Sequence, residues 1–275
     1  VKRLAEENGI SPAELESMQA SKSGRLSRSD IEEYLKKRQH PELPAAEKKT
    51  EADLAVFSPI RKKIIENLKK AASVPTASLF DEADITKLLL WMKNTQADSS
   101  GLKDKLTITS FVVWALSRAA AAFPLLNGVY QEEGVRLNAA VNVGLAIDRK
   151  EGLVVPVIRE AQAKSLFEIA HEIALLKQRV QENKLTLEDL RGGTITLTNF
   201  GMGGARFGLP LLNYPEIAIV GLGKIQKKAA VFGGEIKVRD FLPLSLTFDH
   251  RPVDGMYASY FLKELKTILE EKAWP

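Results

Sequence analysis

From residue 57 onward the chain switches repeatedly between two hydrophobic periods. Ile60, Ile64, Ile65 and Leu68 recur at helical spacing behind Ser58-Pro59, an N-cap followed by proline at the first helical position. Residues 76–85 alternate instead, with Ala77, Leu79 and Ala83 offset by polar partners, as in a half-buried strand. Helices are expected at 86–94 and 109–123, the second apolar around almost its whole circumference and therefore buried. Strands follow at 140–148 and 153–158, with Arg149-Lys150-Glu151-Gly152 as a hairpin connection. Ser165 opens a long amphipathic helix whose apolar stripe is Leu166, Ile169, Ile173, Leu176 and Val180. Further strands are expected at 194–198, 217–222, 229–232, 236–239 and 244–248, with Gly233-Gly234 as a tight turn, and a last helix at 255–271. Strands and helices out of strict alternation point to an α/β two-layer sandwich with a mixed sheet, not a Rossmann sheet.

The amino-terminal stretch is patterned differently. Val1, Leu4 and Ala5 share one helical face ahead of Gly9, and Ser11-Pro12 opens a second short helix. Ser27 and Asp30 stand at capping-box spacing, with Asp30 in place of the usual glutamate, before a helix carrying Ile31, Tyr34 and Leu35. So short an all-α module builds a small core, which favours binding over catalysis. Residues 41–56, with Pro41, Pro44 and Glu47-Lys48-Lys49, lack periodicity and read as a linker. The expected organisation is a binding domain at 1–40, a linker at 41–56 and a main domain at 57–275.

Composition narrows the functions. Among 275 residues, Lys+Arg 39 against Asp+Glu 35 gives a net charge of +4, with the two signs interspersed and aromatics at 7%. A nucleic-acid binder would show a basic stripe with interleaved aromatics. No apolar run approaches the roughly 20 residues that cross a bilayer, and no secretory leader opens the chain. Val1 stands where a methionine would begin a complete chain, which suggests a fragment or a processed product. There is no cysteine, so disulfides, thiolate metal sites and a cysteine nucleophile are excluded; no metal is expected.

Three histidines are present. His40 precedes Pro41 beside the linker and reads as solvated. His171 lies five residues beyond Leu166, about 140° around the helix from the apolar stripe, and faces solvent. His250 follows a strand in Asp249-His250-Arg251-Pro252-Val253-Asp254-Gly255, where Pro252 and Gly255 make a rigid strand-to-helix corner. An imidazole there is suited to proton removal near neutral pH; the alternative is a structural histidine tied into an Asp–Arg network. The glycine-rich run around Gly201-Met202-Gly203-Gly204 has neither dinucleotide spacing nor a P-loop lysine. It does follow a hydroxyl, Thr198, at a strand end. That hydroxyl either donates to a developing oxyanion or simply ends the strand.

Five segments, in this order along the chain, carry a family resemblance: Asp84-Ile85-Thr86, Gly152-Leu153-Val154-Val155-Pro156-Val157, Thr196-Leu197-Thr198-Asn199-Phe200-Gly201, Pro215-Glu216-Ile217-Ala218-Ile219-Val220-Gly221, and Phe248-Asp249-His250-Arg251 with Asp254-Gly255. The chain resembles the dihydrolipoyl acyltransferase component of 2-oxo acid dehydrogenase complexes, which shares its catalytic fold with chloramphenicol acetyltransferase. By that resemblance, 1–40 is a peripheral subunit-binding domain for the 2-oxo acid decarboxylase or the dihydrolipoyl dehydrogenase, with Arg25 and Arg28 as charged contacts. The remainder moves an acyl group, acetyl or branched-chain, from a dihydrolipoyl thioester to coenzyme A. His250 is then the general base, Thr198 (more often Ser in the family) the oxyanion donor, and Asp254 a residue that holds the site in shape. Thr107, Asp148, Asn199, Gly223 and Ile225 fall where the family binds coenzyme A, although Asp148 equally ends a strand and Gly223 and Ile225 equally belong to the sheet. The resemblance also implies a homotrimer with histidine and hydroxyl from different subunits, assembled into a cubic or dodecahedral core. It implies a lipoyl group on a domain outside this chain, no nucleic acid, no membrane, and a cytoplasmic setting (the mitochondrial matrix in a eukaryote).

Three departures from the family accompany these expectations. Met92, followed by Lys93, stands where the family has an arginine serving the active site; lysine is no equivalent fork donor. The loop Gln19-Ala20-Ser21-Lys22-Ser23-Gly24-Arg25 replaces a glycine-rich one, and the chain ends Lys272-Ala273-Trp274-Pro275 where the family has apolar residues. A catalytically idle scaffold is the alternative function, and Met92 is the residue that favours it.

Overall fold

The computed structural model describes residues 27, 28, 30, 31, 57, 59–98, 106–149, 152–270 and 274. The chain falls into two compact units, Val1–Val56 and Phe57–Pro275. In the first, the Asp30 carboxylate accepts from the Ser27 backbone N–H and hydroxyl, both at 2.7 Å, and Ile31 is buried. The anticipated reciprocal cap is present. The helices expected before it, and His40, Arg25 and the linker, lie outside the described residues.

The second unit opens with helix α1 (Pro59–Ala72) and strand β1 (Thr76–Asp84), followed by α2 (Thr86–Asp98) and α3 (Ile108–Ala122). A hairpin, β2 (Val129–Gln131) and β3 (Gly134–Arg136), leads to β4 (Val143–Leu145), β5 (Val157–Ile158) and α4 (Leu166–Gln181). Then come β6 (Ile195–Asn199), β7 (Ala218–Leu222), β8 (Gln226–Phe232), β9 (Glu235–Asp249) and α5 (Gly255–Glu270). The main sheet is ordered β1-β9-β7-β6-β4-β5, with β8 paired to the amino-terminal part of β9. β4, β6 and β7 are mutually parallel and the other pairings are antiparallel. This is the expected two-layer α/β sandwich with a mixed sheet.

Alternation sorts each strand's side chains between the two faces of the sheet. On β9, Leu242, Leu244, Leu246 and Phe248 enter the large apolar core together with Ala218, Val220 and Leu222 of β7 and Ile195 and Leu197 of β6. Helices α3, α4 and α5 close that face with Phe111, Leu116, Leu166, Ile169, Phe261 and Leu265. The opposite face holds hydroxyls: Ser78 and Thr247 share a 3.0 Å hydrogen bond, and Ser245 and Thr247 are both buried. Ser165 and Glu168 form a complete capping box at the start of α4, whose predicted stripe is buried throughout.

Two sequence expectations need correction. Strands at 236–239 and 244–248 are one continuous strand of 15 residues. Pro243 suggested a break, yet it sits opposite Gly223, one residue beyond the end of β7, where the missing N–H costs a single ladder bond. The bond from Gly223 N–H to the Pro243 carbonyl, 2.9 Å, remains. The hairpin at 140–158 also pairs, but over fewer residues: β4 and β5 meet at Val143–Ile158 and Gly144–Val157, and an isolated bridge between Ile147 and Val154 lies beyond them. Pro156 within it cannot donate to the ladder.

Candidate active site

β9 delivers His250 to a corner. The Asp249 N–H bonds to the Ile217 carbonyl and the His250 N–H to the Pro75 carbonyl, each at 2.9 Å, so neighbouring chain on either side holds the backbone before the strand ends. The Asp249 carboxylate is buried and grips Arg251: it accepts from the Arg251 backbone N–H at 3.0 Å, from Nε at 2.9 Å and from Nη2 at 2.6 Å. These bonds hold the Arg251 guanidinium above its usual pKa. Its central carbon lies 3.6 Å from the centroid of the Tyr130 ring. His250 is exposed, with its ring centroid 5.6 Å from that of Phe248, and its imidazole has no hydrogen-bond partner among the described residues. Asp254 is also exposed; its backbone carbonyl accepts from Ala258 N–H at 3.1 Å at the start of α5, while its carboxylate is unpartnered among the described residues.

Thr198 lies near the other end of the sheet. It pairs with Gly221 of β7, which in turn faces Ser245 of β9. His250 is five positions beyond Ser245 on a strand antiparallel to β7, which puts it about 17 Å further along and about 10 Å across, roughly 20 Å from Thr198 within one chain. The Thr198 hydroxyl is half-buried, with no partner among the described residues. Around it gather the other expected site residues, at the carboxyl ends of β4, β6 and β7. Asn199 donates from Nδ2 to Thr109 Oγ1 at 3.2 Å in the first turn of α3. Thr107 caps that helix, its hydroxyl accepting from the Ser110 N–H at 3.1 Å. Asp148 is exposed just past β4. Ile225 packs against the core. Gly223 is where the loop after β6 crosses: an added Cβ would lie 1.9 Å from the Arg206 carbonyl oxygen. Thr107, Gly223 and Ile225 thus each have a structural duty. Met92 is buried in the core and Lys93 is exposed.

Three residues here had no role assigned from sequence. Tyr130 sits on a hairpin that was not anticipated, and Arg251 was only part of a motif. Glu216 is buried, with oxygens accepting from Thr196 Oγ1 at 2.6 Å and Asn213 Nδ2 at 2.8 Å. Burial pushes its pKa up to about 7. Its sequence signals were its place in a segment of the family resemblance and a charge at the head of an otherwise apolar run, Ile217-Ala218-Ile219-Val220.

The 2-oxoacid dehydrogenases acyltransferase family (catalytic domain) matches residues 49–274. This chain belongs to that family. Among its relatives, the dihydrolipoyllysine-residue acetyltransferase of the Bacillus subtilis (strain 168) pyruvate dehydrogenase complex is 38% identical over 218 residues, covering 78% of this chain and 49% of the relative. The lipoamide acyltransferase of the Pseudomonas putida branched-chain alpha-keto acid dehydrogenase complex is 34% identical over 260 residues, 91% of this chain and 61% of the relative. This chain therefore spans about half to three-fifths of the length of these two relatives. The dihydrolipoamide acetyltransferase of Azotobacter vinelandii superposes with a TM-score of 0.77 at 29% identity, covering 80% of this chain and 92% of that one; its structure addresses a serine, a histidine and an asparagine in the catalytic mechanism.

Proposed function

We propose that this chain forms the acyltransferase core of a 2-oxo acid dehydrogenase complex, moving an acetyl or branched-chain acyl group from a dihydrolipoyl thioester to coenzyme A. His250 takes the proton from the incoming thiol. The thiolate so formed attacks the thioester carbonyl, and the Thr198 hydroxyl donates to the resulting oxyanion. His250 then returns its proton to the departing sulfur as the carbon–sulfur bond breaks. No cysteine is needed, because both sulfurs belong to the substrates, and holding them in line supplies much of the rate.

The spacing of these residues supports the roles. In the Azotobacter acetyltransferase, the serine precedes the histidine by the same number of residues as separate Thr198 and His250. The asparagine there follows its histidine at the interval of Asp254 here. The observation that carries the reading is the separation of two groups that have no partner among the described residues. An imidazole and a hydroxyl roughly 20 Å apart cannot serve one thioester within a chain, so one copy supplies His250 and its neighbour supplies Thr198. A cyclic homo-oligomer, a trimer in this reading, pairs every His250 with a Thr198. Residues 1–40 would dock the decarboxylase or the dihydrolipoyl dehydrogenase, and the lipoyl group would arrive on a separate domain.

Mixed assembly tests this directly. His250→Ala and Thr198→Ala oligomers should each be nearly inactive. Oligomers reassembled from equal amounts of the two should recover about a quarter of wild-type acyl transfer, because one interface in four then joins an intact His250 to an intact Thr198. Mixtures no more active than their parents would overturn the shared site.

A further inference from the structure

We infer that Arg251 is the positioning residue for the His250 imidazole, acting through Asp249 on one side and the Tyr130 ring on the other; this rests on His250 being the base. His250 sits between two residues that hold each other. The Asp249 carboxylate closes a ring onto the Arg251 backbone N–H and, through the side chain, onto Nε and Nη2, so the loop of bonds encircles the backbone of His250 itself. A carboxylate bonded to the N–H two residues on fixes the dihedrals of the residue between them. Among the described residues the imidazole has no hydrogen-bond partner to orient it, so backbone direction and packing against Phe248 set where it points.

Arginine suits this duty because its planar fork reaches both carboxylate oxygens while its flat face lies on an aromatic ring. Tyr130 provides that ring at 3.6 Å. It is in turn anchored through its neighbour Val129, which bridges to Glu216, two residues before β7 begins. The corner is therefore braced against the strand adjoining β9. Arg251 side-chain exposure of 34% against 4% for Asp249 shows a guanidinium spread over the corner with its bonded edge turned inward.

The test is steady-state transfer from acyl-dihydrolipoamide to coenzyme A by the intact oligomer. Arg251→Gln should lower kcat about 10–100-fold with KM for coenzyme A within about twofold, the signature of a displaced reacting group. Arg251→Lys keeps a cation against the buried carboxylate but lacks the fork, so it should fold if Arg251→Gln does not, and should still lose about 10-fold in kcat. Tyr130→Ala should lose about 3–10-fold and Tyr130→Phe, which keeps the ring, should restore most of it. Unchanged kcat in the folded Arg251 variants, or a rise in KM alone, would overturn the assignment; so would a Tyr130→Phe protein as impaired as Tyr130→Ala. The His250 ring NMR signal separates this inference from the one beneath it. If His250→Ala retained activity the base would be wrong, yet a single sharp His250 resonance that splits or broadens in Arg251→Lys would still establish the brace, and an unaltered one would refute it.

Discussion

The two ends of the sheet solve different problems with different means. At the His250 end the chain uses directional side-chain bonds: a buried carboxylate, a forked cation and an aromatic plate hold one short corner. At the Thr198 end it uses close approach of backbone. The loop after β6 lies against the end of β7 through Phe200 N–H to Leu222 carbonyl, 3.1 Å, and Lys224 N–H to Ala205 carbonyl, 2.8 Å, over a glycine that has no room for a side chain. In the proposed roles, a base must be aimed, whereas an oxyanion donor on a strand end needs only a fixed backbone and an open space before it. Function at the first end should thus be sensitive to charge and at the second to volume.

The sharpest way to break the contrast lies at the second end. Thr198→Ala should cost about 10²–10³ in kcat, as for loss of one oxyanion donor. Thr198→Ser keeps the hydroxyl and should stay near wild type in the same assay. An Ala variant as active as Ser would remove Thr198 from the chemistry.

Next in size is a charge effect at the first end. The Glu216 carboxyl is held above its unfolded value of 4.5, at about 7, so the native state keeps its proton longer than the unfolded chain does. Its contribution to stability is complete below pH 4.5 and is lost as the pH rises to 7. Glu216→Gln removes that loss, and should therefore gain on the wild type by roughly 3 kcal/mol between pH 4.5 and 8. Denaturant melts of both proteins at several pH values would show it, and parallel curves would refute it. The smallest effect is one of volume: Gly223→Ala should destabilise by about 1–3 kcal/mol, read as a lower midpoint of unfolding, with its kinetic penalty at the Thr198 end.

What the sequence disclosed and what it concealed follow the distance over which each feature is decided. The Ser27–Asp30 and Ser165–Glu168 caps were legible because they close within one helical turn. The helix α3, buried on nearly all sides, announced itself by composition, and the His250 corner by Pro252 and Gly255. The continuity of β9 through Pro243 was hidden, since it depends on β7 ending one residue short of that proline. Tyr130 was hidden for the same reason: only the folded hairpin brings a residue 121 positions earlier beneath the Arg251 side chain. Thr198 and His250 were each found as candidates, but their separation is a property of strand order, which no local spacing encodes.

The register of β9 also carries a safeguard. Its leucines face the helices while Ser245, Thr247 and Asp249 face the other way, and a slip of one position against β1 or β7 would exchange the two sets. Hydroxyls would enter the oil and the imidazole would emerge on the wrong side of the molecule in the same movement. A misthreaded copy would thereby lose its buried core and its His250 corner together.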